Sequence, residues 1–210
     1  VNGQWYVFYH RMTGTDEFAR QAMLDPIDVA VDGSGRVYIG RIEYNEAGEP
    51  VSSAETEMTS QGAHIGGLDS RALISAGYAC CLTSETEGTT PFAESSAGAY
   101  IKPVYEGAES SPIVRIKSGT TAGFRYIDLG TESPKEIYMK LDDAVSGGRV
   151  SVRLDSADGE CIAAVTTEQG KSGYTAALEC EVTGKHALYF RFEHDDKTVD
   201  ICGFDFFTFE

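Results

Sequence analysis

The stretch KEIYMKLDDAVSGGRVSVRLDS, residues 135–156, decides the fold. Within it, Val150, Val152 and Leu154 alternate with Arg149, Ser151 and Arg153. A period of two places one set on each face of a strand, so this run predicts a half-buried antiparallel strand with its apolar face inward. EIYMKLD just before it has the same alternation, and turn residues lie between the two runs. Working outward, SPIVRIKSG, AGFRYIDLG, CIAAVTTE, AALECEV, HALYFRFE and CGFDFFTFE repeat the pattern. Short strands separated by turn signals about 8–12 residues apart predict two packed antiparallel sheets, a β-sandwich or jelly roll. The predicted inward set is Ile137, Met139, Leu141, Val150, Val152, Leu154, Leu188, Phe190 and Phe192. A one-residue slip in register would carry charged neighbours into that core.

The first 60 or so residues are also strand-like, but of another kind. QWYVFYHR, IDVAV and VYIGRIEY are punctuated by the turn signals NG and DGSG. In the first of these, Trp5, Val7 and Tyr9 alternate with Tyr6, Phe8 and His10, so both faces are aromatic and the strand calls for neighbours on both sides. The polar, glycine-rich QGAHIGGLDSR, residues 61–71, reads as a connector. The expected organisation is therefore a first body over 1–64, a connector over 65–71 and a second body over 72–210. TSETEGTTPFAESSAG, residues 83–98, has no sustained apolar period and reads as an excursion within the second body.

Composition narrows the partners. Lys and Arg total 17 against 33 Asp and Glu, a net charge of −16, which repels nucleic acid and anionic lipid and favours neutral partners such as carbohydrate. No apolar run approaches the roughly 20 residues that span a bilayer. The five cysteines are an odd number without the paired CxxC spacing of a zinc site, and their places in apolar runs predict small buried hydrophobes. The opening VNGQWYVFYH has no signal-peptide pattern and reads as the interior of a longer protein.

NGQWYVFYHR, FARQAMLDPI and ETEMTSQG together resemble the last blade of the five-bladed propeller of glycoside hydrolase family 43, the arabinofuranosidases and xylosidases. The resemblance implies that His10 helps to hold a cation or water cluster near the propeller axis, where imidazole can coordinate through one nitrogen while the other is fixed. It implies that Arg20 approaches the sugar, its planar fork of donors engaging hydroxyls or a carboxylate. The acid and base carboxylates of such an inverting enzyme would lie on earlier blades, upstream of Val1. This chain would then hold no catalytic residue and would be inactive alone.

ALISAGYACCL, AGFRYIDLG, GGRVSVRLDS and VDICGFDFFTFE resemble a carbohydrate-binding module of family 6. That family binds sugar mainly in a cleft at the loop end of its sandwich, between aromatic platforms. The resemblance makes Tyr174, in GKSGYTAAL, the platform candidate on an exposed loop end, while Gly203 stands where the family has an asparagine. The family's structural calcium would have lost its first-strand acids to Ser75 and Gly77, leaving Asp205. One carboxylate cannot supply the six to eight oxygens that calcium prefers, so that site is expected to be lost or rebuilt.

The expected fold is thus all-β, a jelly-roll sandwich preceded by strands of an incomplete five-bladed propeller. The expected function is the C-terminal portion of a glycosidase acting on arabinoxylan, xylan or arabinan, with the upstream blades of the same protein as its other partner. The competing readings are a non-catalytic sugar-binding protein and a structural spacer module. A polysaccharide substrate argues for secretion, whereas an odd cysteine count is a liability in an oxidising compartment.

Overall fold

The computed structural model describes residues 2–12, 20–55, 58–85, 97–105 and 107–210, and the side chains of residues 11, 12, 20 and 21 lie outside that description. Its N-terminal sheet has four strands, β1 (Trp5–Met12), β2 (Arg20–Val31), β3 (Val37–Tyr44) and β4 (Pro50–Ala54), paired in sequence order. This up-and-down meander is what a propeller blade requires. The β2–β3 turn is closed by Asp32, whose Oδ1 accepts from Ser34 Oγ (2.6 Å), Ser34 N (2.9 Å) and Arg36 N (3.0 Å). Met23, Leu24, Tyr38 and Ile42 are buried in this sheet. The aromatic alternation calls for neighbours on both sides, whereas in this chain large side chains are exposed on both faces, with Trp5, Val7 and Ile39 on one and Phe8 on the other.

Two further sheets form the sandwich. One runs β13 (Cys161–Thr166), β12 (Arg149–Leu154), β15 (Lys185–Glu193), β10 (Thr121–Asp128) and β5 (Leu68–Asp69), with β7 (Cys81–Thr83) also on β10. The other runs β14 (Gly173–Ala177), β11 (Glu136–Asp142), β16 (Cys202–Phe209), β9 (Ile113–Ile116) and β8 (Tyr100–Ile101), with β6 (Ile74–Ser75) also on β16. The predicted inward residues are fully buried except Leu154, which packs partly buried against the rim of the core. Phe124, Phe190 and Phe207 form its centre, with ring centroids 4.7–5.5 Å apart and Phe124 edge-on to the other two, the geometry that aromatic quadrupoles favour.

Two local expectations need amendment. Ser151 alternates outward with Arg149 and Arg153, yet it is buried in a central strand, where it stands opposite Ala164 of β13 and Arg191 of β15. The segment read as a connector also joins the sandwich sheet: Leu68–Asp69 pairs in parallel with Ile127–Asp128. Gly67 permits this close approach, since it has φ +108° and a Cβ there would lie 2.9 Å from Asp128 N. Just upstream, Ser60 N and Gln61 N donate to Arg125 O while Arg125 N donates to Ser60 Oγ (3.1 Å). Of the predicted excursion, residues 86–96 lie outside the described residues.

Candidate functional site

The loop end of the sandwich is built by the turns before β12 and β14. Thr167 N donates to Gly148 O (2.7 Å) and Gly147 N to Thr167 O (3.0 Å), and Gln169 N reaches Ser146 Oγ (3.0 Å). Between these turns lies a cleft of about 470 Å³ whose polar groups come from Asp142, Asp143, Gln169, Lys171 and Ser172.

Tyr174 does not face this cleft as a platform. It is a strand residue, paired with Met139 across β14 and β11, and only 2% exposed. Its hydroxyl accepts from Glu168 N (3.0 Å) and places its proton toward the carbonyls of Glu168 (3.0 Å) and Lys171 (3.1 Å). Tyr174 is therefore the pillar under the loop, tying its backbone to the core. The ring face a pyranose would need is enclosed, and Lys171 Nζ stands 4.9 Å from the ring centroid, paired with Glu168 (3.1 Å). The preceding glycine suggested a loop, but the glycine serves packing: a Cβ on Gly173 would meet the Tyr138 hydroxyl at 2.9 Å. Among the described residues, the cleft that remains has carboxylates, an amide, an ammonium and a hydroxyl, and no aromatic ring. Such a surface can hydrogen-bond sugar hydroxyls but cannot stack on a sugar's C–H face. Gln169 and Lys171 escaped the sequence reading because nothing in QGKSG marks them apart from ordinary turn residues.

Asp205 lies on the outward side of β16, where its carboxylate accepts from Ser110 Oγ. Ser75 is buried, and its Oγ accepts from Ser111 N (2.9 Å) and Gly77 N (3.2 Å). On the neighbouring strand Lys140 binds Asp142 at 2.7 Å. That hydrogen bond, with a smaller contribution from Asp205, holds the Lys140 ammonium above its ordinary pKa. Among the described residues of the expected set, Asp205 is the one carboxylate, and hydroxyl–amide bonds surround Ser75, a group that does not by itself meet calcium's need for six to eight oxygens. Among the described residues no group of three or more His, Cys, Asp or Glu could hold a metal.

On the blade, His10 is exposed in β1 opposite Ala22. Arg20 opens β2 opposite Met12, two positions along from Ala22, so both candidates come from the same end of one hairpin. The Arg20 side chain lies outside the described residues. Sequence reasoning missed Asp25, which is buried beneath this sheet with Oδ2 accepting from Tyr9 Oη (2.6 Å). The pair joins residues 16 positions apart on facing strands, a relation that only the register reveals.

The family model for carbohydrate binding module (family 6) matches residues 92–210, more than half of the chain. A xylosidase/arabinosidase of Thermoclostridium stercorarium is 27% identical over 203 residues, covering 91% of this chain and 37% of that protein. Among solved structures, a family 43 arabinoxylan arabinofuranohydrolase from Bacillus subtilis superposes with a TM-score of 0.52 at 18% identity, over 82% of this chain and 33% of that one. A β-1,3-glucan-binding family 6 module from Bacillus halodurans gives 0.51 at 15% identity, over 69% of this chain and 98% of that one. The chain spans about a third of the length of the two enzymes it matches. Its strands β1–β4 and its sandwich together have the fold of a region of a family 43 glycoside hydrolase, and the chain belongs to the carbohydrate-binding modules of family 6.

Proposed function

We propose that this chain is the C-terminal part of a glycosidase that hydrolyses plant-wall hemicellulose, arabinoxylan, xylan or arabinan, and that the sandwich is its accessory saccharide-binding module. The observation that carries this reading is the extent of the similarity to a xylosidase/arabinosidase, which covers 91% of the chain and so takes in blade and sandwich alike. The aromatic faces of β1–β4 support it: Trp5 and Phe8 are 62% and 75% exposed, and the upstream blades of the same protein are the partners that would cover them. Those blades would also bring the acid and base carboxylates, while His10 and Arg20 position and stabilise. The test compares this 210-residue chain with the protein extended by its upstream blades on aryl arabinofuranosides and xylosides. Hydrolysis by the extended protein alone is expected, and turnover by the shorter chain would overturn the assignment.

One observation favours a second reading, in which the sandwich serves chiefly as a packing module. Among the described residues its loop-end cleft has no aromatic platform. Titration of the chain with xylo-oligosaccharides separates the two, since a packing module leaves the titration flat.

A further inference from the structure

Away from that cleft, arginines gather on one surface. The outward side of the β13-β12-β15-β10 sheet carries Arg149 and Arg153 on β12 and Arg191 on β15. Arg125 of β10 adds its guanidinium there, donating to Tyr189 Oη at 2.7 and 2.9 Å. The register sets Arg149 opposite Glu193 and Arg191 opposite Ser151. Arg149 and Arg191 are therefore diagonal neighbours on one face, a relation that puts such residues roughly 7–8 Å apart. On a chain of net charge −16, this end of the sheet brings Arg149, Arg191 and Lys197 together with the carboxylates of Glu85, Glu193 and Asp195. At its Arg149 end the surface opens into a cavity of about 420 Å³, walled also by Ser118, Gly119 and His194.

The charged groups there are unequally engaged. Arg191 is held by Asp158 (3.1 Å) and Glu193 (3.4 Å), and Lys197 pairs with Glu85 (2.8 Å). Arg149 is exposed and has no ion pair among the described residues. Ser118 Oγ accepts from His194 N (3.0 Å), which leaves the hydroxyl proton to donate. The His194 ring is anchored between Asp196 N (2.9 Å) and Ser146 O (3.2 Å), so that wall is fixed. Of the three carboxylates in the lining, Glu85 is paired with Lys197 and Glu193 with Arg191, and Asp195 is the third. Among the described residues no aromatic ring lines this cavity, so what they offer a sugar is charge and hydrogen bonds. A guanidinium fork matches a carboxylate in geometry and in charge, and a carboxylate such as that of Asp195 accepts well from sugar hydroxyls.

We propose that this cavity is a site for a saccharide that carries a carboxylate, a uronic acid, with Arg149 holding the carboxylate and Ser118 and Asp195 bonding ring hydroxyls. The proposal rests on the reading of the sandwich as a saccharide-binding module and names the class of sugar for a second place on it. The turn between β11 and β12 separates this cavity, on its Gly147 side, from the loop-end cleft on its Ala144 and Val145 side.

The test is calorimetric titration of the 210-residue chain with xylotetraose and with the same oligosaccharide bearing a glucuronic acid branch, at low ionic strength. The acidic sugar is expected to bind about tenfold more tightly, as a charge-assisted bond allows, and the preference should shrink as salt is raised. Arg149→Gln should bring the acidic sugar to the neutral level, and Arg149→Lys should retain part of the preference because charge remains while the fork is lost. Arg149 is exposed, so both variants should unfold at the temperature of the unaltered chain. Equal affinity for the two sugars, or an acid preference that survives Arg149→Gln, overturns the proposal while the saccharide-binding reading stands. Failure to bind either sugar removes both.

Discussion

Phe8 in the blade is 75% exposed, whereas Phe124, Phe190 and Phe204 in the sandwich are completely buried. The two regions have similar raw material, strands rich in aromatic residues, and differ in how many layers cover them. The sandwich places two sheets face to face, so each aromatic inward residue meets another across the core. The blade is a single sheet with apolar side chains on both faces, and a sheet of that kind reaches full burial only between other sheets. The contrast teaches that aromatic content alone does not locate a core. Alternation with polar residues identifies a strand that needs one neighbour, and its absence identifies a strand that needs two.

The largest expected effect comes from truncating the same residue type in each region. Phe190→Ala should cost the sandwich about 3–5 kcal/mol in denaturant unfolding, through lost burial and the cavity left among Phe124, Phe204 and Phe207. Phe8→Ala should change the stability of this chain by less than about 0.5 kcal/mol, the range of ordinary surface substitutions. A large loss from Phe8→Ala would mean that the blade is already covered. Tyr174→Phe is next: it removes a hydroxyl bonded to Glu168 and the Lys171 carbonyl and should cost about 1–2 kcal/mol of stability. Saccharide titrations should be unchanged by it, because the ring is a pillar and not a platform.

Two titrations separate the regions more finely. In the blade, the hydrogen bond from the Ser34 hydroxyl, with those from the Arg36 and Ser34 amides and Tyr38, lowers Asp32 to about 2. A carboxylate depressed on folding contributes stability that is present above its unfolded value and lost as pH falls through the folded one. The β2–β3 turn should therefore loosen between about pH 4 and pH 2, seen as an Asp32 carboxyl shift with a midpoint near 2. In the sandwich, burial pushes the Cys202 thiol up to about 12, with Asp142 adding to the rise. A raised thiol favours the folded state below the unfolded value of about 9, and this contribution is lost as pH rises toward 12. Cys202 should resist alkylation at pH 8 in the folded chain and react once the chain is unfolded in denaturant. Rapid labelling of the native protein would show that the strand end is open.

The sandwich was legible because its strands are half-buried and alternate, so that Ile137, Met139 and Leu141, or Val150 and Val152, declare their face from local order alone. The blade was legible as strands from its short apolar and aromatic runs bounded by the turn signals NG and DGSG. Its part-buried Tyr9–Asp25 pair was not, since the partners meet only through the hairpin register. Tyr174 was misassigned because GKSG reads as a loop, whereas the alternation of Tyr174 and Ala176 with Thr175 and Ala177 continues the strand to its first residue. Ser151 was misread because alternation gives the face of a residue but not the strands that flank it, and β12 lies between β13 and β15. The arginine surface is assembled from three strands distant in sequence, and it stood hidden behind a strongly acidic total charge.

The account's central claim is that the sandwich is complete in itself while the blade depends on neighbours. Amide hydrogen exchange, followed residue by residue on this chain, tests it most directly. Amides of β12, β15 and β16 should exchange only through global unfolding, while those of β1 and β2 exchange orders of magnitude faster. Extension with the upstream blades proposed above should slow β1 and β2 and leave the sandwich as it was. Equal protection of the two regions in the 210-residue chain would contradict the claim.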